Sequence, residues 1–163
     1  MEIPFLKYIF DKKKFSIIPM VIGDGNLRNN VELGKKLYEL YEDPRTIFVI
    51  SSDFCHWGQD FDYVYYNKKF KNIWESTEDL DRQALDIIAE MNSKKFDEYM
   101  KRTKNTICGR NPITILLSII EEYKKNHNEK KITFDTAGYS QSEKVTSMNG
   151  SSVSYAAGVN FIV

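Results

Sequence analysis

The chain has 163 residues, 42% of them apolar and 28% charged, enough for one hydrophobic core and no more than a single domain. Lysine plus arginine equals aspartate plus glutamate at 23 each, so no net field favours nucleic acid or an anionic membrane surface. Two cysteines make no disulfide scaffold, no apolar run approaches the ~20 residues of a membrane span, and no signal peptide follows Met1.

Free thiols and the missing targeting segment predict a cytoplasmic protein. The basic clusters at Lys12 to Lys14, Lys68 to Lys71 and Lys124 to Lys131 are short and interrupted, and read as solvated faces and turns.

Phe15 to Ile22 reads as a strand closed by Gly23-Asp24-Gly25, with Pro19 pointing to an edge or a bulge. Leu27, Val31, Leu37, Tyr38 and Tyr41 recur near helical spacing as far as Asp43-Pro44. Thr46-Ile47-Phe48-Val49-Ile50 is rich in β-branched residues and does not alternate, the pattern of a strand buried on both faces of a parallel sheet. The β-α-β order predicts a right-handed crossover. An aromatic segment from Phe61 to Trp74 follows, and Ser76 to Asp79 resembles a capping box for a helix with Leu80, Ala84, Ile87, Ile88 and Met91 inward. Ser93 is a candidate cap for a short helix carrying Phe96, Tyr99 and Met100. Asn111 and Pro112 open a well-buried helix striped by Ile113, Leu116, Leu117, Ile120 and Tyr123. His127 lies in the polar turn beyond it and reads as solvated. Ile132 to Phe134 and Val153 to Val163 are predicted closing strands, with the C-terminal stretch as sheet interior and pocket wall. The expected fold is mixed α/β, with a largely parallel central sheet flanked by helices.

At the end of the Thr46–Ile50 run the composition switches to Ser51-Ser52-Asp53-Phe54-Cys55-His56-Trp57-Gly58. Ligands of open α/β sheets sit outside the carboxyl ends of strands, so these groups mark a candidate site. Asp53 and His56 suit a general acid/base pair, or a metal with Asp53 direct or behind the histidine. The alternative is a carboxylate capping local amides beside a satisfied, half-buried histidine. Cys108 precedes the helix that Asn111 opens, with Arg110 two residues on, and both favour a thiolate that is reactive or binds metal. The alternative is a buried inert thiol, the part assigned to Cys55. Gly23-Asp24-Gly25 lacks the further glycine and the lysine of a phosphate-binding loop, so no nucleotide cofactor is expected.

Val49 to Gly58, Asn105-Thr106-Ile107-Cys108-Gly109-Arg110 and Ser151-Ser152-Val153-Ser154-Tyr155-Ala156-Ala157-Gly158, together with Tyr63-x-Tyr65-Tyr66 and Tyr139-Ser140-Gln141-Ser142, closely resemble the Memo family. That resemblance implies a fold similar to class III non-haem-iron extradiol dioxygenases. It implies His56 as the acid/base equivalent with Asp53 beside it, and Cys108 where the dioxygenases use a metal-binding glutamate. The implied pocket takes in Trp57, Arg110 and Tyr155 and binds copper or iron through Cys108 and His56. The implied role is a signalling adaptor in cell motility that binds phosphotyrosine-containing receptor peptides. Met1 to Leu6 resembles the tail of the family's His-Ser-x-Glu-x-x-Leu-Pro segment. The resemblance therefore implies a C-terminal portion of a single Memo-like domain, incomplete at the N-terminus and lacking two pocket histidines. The expectation is an incomplete metal site, no enzyme activity in this chain alone, and self-association through exposed sheet edge. A metal-dependent oxidoreductase and an inactive pseudo-site are the competing expectations.

Overall fold

The computed structural model describes residues 2–162. Five helices are present among them: α1 (Ile3–Ile9), α2 (Leu27–Glu42), α3 (Ile73–Ala89), α4 (Ser93–Thr103) and α5 (Arg110–Asn126). Three strands, β1 (His56–Trp57), β2 (Ile132–Gln141) and β3 (Ser152–Ile162), form one sheet in the order β1-β3-β2. Every pairing in it is antiparallel, so the expected largely parallel sheet and its β-α-β crossover are not formed among the described residues. Val163, the predicted end of the last strand, lies outside the described residues.

α3 begins earlier than its sequence signal. Its capping box is made by Asn72 and Glu75, not by Ser76 and Asp79. Ser76 instead turns inward and accepts from the Asn67 amide. α4 is capped by Asn92, whose side chain accepts from the Lys95 amide, with Ser93 as the first helical residue. Gly109, not Asn111, caps α5, because the Asn111 side chain is spent on the Gly23 carbonyl and on Asn30. Pro112 then sits in the first turn, where no amide is required. The apolar faces of α3, α4 and α5 meet in one core that includes Leu80, Ala84, Phe96, Tyr99, Leu117 and Ile120, covered by Ile132 and Trp57.

Two apolar segments depart from expectation. Phe15 to Ile22 joins no ladder, and most of its apolar side chains face solvent, Val21 being 99% exposed. Thr46 to Ile50 is likewise outside the sheet, with Ile47 68% exposed. A β-branched run becomes a buried strand only when neighbouring strands offer ladder partners and faces, and among the described residues none do. The chain enters the sheet further on, where the Phe54 amide donates to the Ser154 carbonyl and the Ser154 amide to the Cys55 carbonyl. β1 therefore carries the motif itself instead of leading into it. Beyond Ser154, the edge of β3 that faces away from β2 has no ladder partner among the described residues. Between that edge and residues 46–50 lies an apolar cavity of about 640 Å³, lined by Phe48, Ile50, Ile113, Leu116, Phe134 and Phe161 among others. The C-terminal stretch is thus a wall of this cavity more than a sheet interior, since Val159, Phe161 and Ile162 remain exposed.

An open edge beside exposed apolar surface promotes association. Light scattering of the purified chain is expected to show dimers or larger species. A stable monomer with a single cooperative melt would contradict this.

Candidate functional site

The site is assembled where the entry to β1 crosses the loop before α5. Cys108 is exposed, and its Sγ lies 3.1 Å from the Asp53 amide, which donates to it. Ser52 Oγ stands 3.8 Å from the same sulfur and accepts from the Gly109 amide at 2.9 Å. Gly109 is required by this crossing, because a Cβ there would meet Ser52 Cβ at 2.4 Å. Gly58 ends the motif at φ +136, a conformation that side chains avoid, and lets the chain pass close to Gly150 and Ser151.

Asp53 and His56 meet as the sequence spacing anticipates, with Asp53 Oδ2 3.6 Å from His56 Nε2. That separation is within ion-pair range and exceeds a hydrogen bond. His56 is otherwise held by Thr106, and its ring centroid lies 5.1 Å from that of Phe61. The remaining expected pocket residues stand apart from this crossing. Trp57 is buried and donates its indole N–H to the Tyr65 carbonyl. Tyr155 is half-exposed on β3. Arg110 is paired with Asp24 at 3.0 Å, so its charge is engaged away from Cys108. His127 is not simply solvated: its Nε2 lies 2.8 Å from Glu42 and its ring stacks on Tyr123, clamping the end of α5 to α2.

Cys55 is fully buried, and burial pushes its thiol well above the usual range. The two cysteines are therefore chemically distinct. Iodoacetamide near neutral pH is expected to alkylate Cys108 at least ~10-fold faster than Cys55, because the thiolate of Cys55 is disfavoured and shielded. Mass spectrometry of partly labelled protein checks this, and equal labelling would mean that Cys55 is accessible.

Beneath the site lies a residue that the sequence reading missed. Asp81 on α3 is 0% exposed, and its carboxylate accepts from the Cys55 amide at 3.3 Å, Asn105 Nδ2 at 3.0 Å and the Tyr139 hydroxyl at 2.9 Å. Burial raises its carboxyl above the ordinary range, against the pull of these donors. Tyr139 and Tyr99 around it are raised by the same burial. A carboxylate on the inward stripe of α3, three residues before Ala84, was the available signal.

The donor chemistry of Cys108 and His56, a thiolate and an imidazole, fits a soft or borderline metal such as copper or iron. The number of donors does not: among the described residues no group of three His, Cys, Asp or Glu side chains gathers closely enough to hold a metal ion. Among those residues, too, no helix is long and apolar enough to cross a membrane.

The Memo-like protein family matches residues 1–159 of this chain. Over 163 residues the chain is 39% identical to the Protein memo-1 homolog of Caenorhabditis elegans, an overlap of 99% of this chain and 46% of that protein. It is 40% identical to Protein MEMO1 of Homo sapiens and 41% identical to that of Mus musculus, each over 160 residues. Both overlaps take in 97% of this chain and 53% of the relative. The chain thus spans about half the length of the curated relatives it matches.

Proposed function

This chain belongs to the Memo family, and we propose that it acts as a cytoplasmic signalling adaptor in cell motility whose pocket contributes part of a copper or iron site. It is the C-terminal portion of a Memo-like domain in this reading. The observation that carries it is that Asp53 links the two donors, its amide donating to Cys108 Sγ and its carboxylate lying 3.6 Å from His56 Nε2. Cys108 and His56 are the ligands, His56 through Nε2, and Asp53 Oδ2 stands 3.6 Å from that nitrogen on the same side of the ring. A bound metal supplies one-electron redox capacity. Two donors leave such an ion under-coordinated, so tight binding needs donors from outside this chain.

A ring-cleaving oxidoreductase fits less well. Its chemistry activates O₂ at an iron held by oxygen and imidazole donors, and a thiolate in that place is itself oxidised. The adaptor reading is tested by fluorescence anisotropy with a tyrosine-phosphorylated peptide and its unphosphorylated twin. Binding of the phosphorylated peptide alone supports it. Equal binding of both, or binding of neither, contradicts it.

A further inference from the structure

We infer that Thr106 is the positioning residue of His56: it fixes which ring nitrogen carries the proton and which presents a lone pair to the site. The inference rests on the reading of His56 as a site residue. Thr106 meets His56 three times. The His56 amide donates to Thr106 Oγ1 at 2.7 Å, and the Thr106 hydroxyl donates to the His56 carbonyl at 2.9 Å. His56 Nδ1 lies 3.0 Å from the Thr106 carbonyl oxygen.

A carbonyl oxygen only accepts, so the proton of the neutral ring sits on Nδ1. Nε2 is left with its lone pair, on the side where Asp53 Oδ2 stands 3.6 Å away. The hydroxyl's two bonds tie both backbone polar groups of residue 56 to residue 106, which keeps the ring opposite the carbonyl. The pair is anchored from below. Asp81 Oδ1 accepts from the Cys55 amide and from Asn105, the chain neighbours of His56 and Thr106. One buried carboxylate therefore holds both sides of the pairing in register. The ring of a free histidine side chain prefers its proton on Nε2, so the arrangement is imposed by the fold.

The chain contains only two histidines, so ring-¹⁵N-histidine labelling yields two rings, and His127→Gln assigns them. Once the rings are titrated to their neutral form, the tautomer is read directly from the ring nitrogens. The expected result is His56 with its proton on Nδ1 and a bare Nε2. Thr106→Val keeps the side-chain shape and removes the hydroxyl, and is expected to lower the Nδ1–H to Nε2–H ratio about fivefold. Thr106→Ser is expected to restore it. A wild-type His56 protonated on Nε2, or a Thr106→Val spectrum identical to wild type, overturns the inference. If Thr106→Val does not fold, the wild-type tautomer alone still decides. No metal enters the experiment, so failure of metal binding beside an Nδ1–H tautomer would sink the proposed pocket and leave Thr106 its role.

Discussion

Replacing Asp81 with alanine is expected to cost about 3–5 kcal/mol, read as a fall in the urea midpoint, because it removes the shared acceptor of three donors and empties a fully buried position. The Cys55 amide, Asn105 Nδ2 and the Tyr139 hydroxyl all end on this carboxylate. Asp81→Asn keeps an acceptor for the first two and presents its amide to the tyrosine oxygen, so about 1–2 kcal/mol is expected. The pair also separates in pH dependence. Burial raises the Asp81 carboxyl, so the native state keeps its proton to higher pH than the unfolded chain does. The native state then binds more protons, and this contribution to stability declines as pH rises from the ordinary carboxylate range towards the raised value. Asp81→Asn should lack that slope. An alanine variant with an unchanged midpoint would show that the cluster is not structurally coupled to the core.

α1 buries no residue and gave no such signal, whereas helices α2 to α5 were legible because their apolar residues recur at helical spacing. On α3 to α5 those faces are in fact buried, as Ile113, Leu117 and Ile120 are on α5. Their starts were less so. Asn72 and Ser76 are both plausible caps by type, and the choice was made by what each side chain meets in space. The parallel sheet was read from Thr46 to Ile50 on composition, but a strand is defined by its neighbours, and this segment has none in the sheet. Asp53, His56 and Cys108 stood out as chemically capable groups at a change of composition. Thr106 carried no local signal. Its part depends on a contact 50 positions away that exists only once β1 and the loop before α5 cross. Arg110 was near Cys108 in sequence, yet Asp24 claims its charge.

Metal affinity is where substitutions at the site itself should have their largest effect. Cys108→Ser replaces a soft thiolate with a hydroxyl, and His56→Ala deletes the imidazole, so each is expected to weaken Cu(I) binding by more than ~100-fold. Asp53→Asn leaves both donors in place and removes only the carboxylate charge beside His56 Nε2, for an expected loss of ~10–100-fold at most. Competition against Cu(I) chelators of graded strength, under anaerobic conditions, ranks the three variants.

The central claim, that Cys108 and His56 form one part of a divided metal site, is tested most directly by anaerobic calorimetric titration of Cu(I) into this chain and into a full-length Memo relative. Two donors without a third predict that this chain binds at least ~100-fold more weakly than the longer protein. Equal affinity at the two lengths would contradict the account, because no donor outside this chain would then be needed.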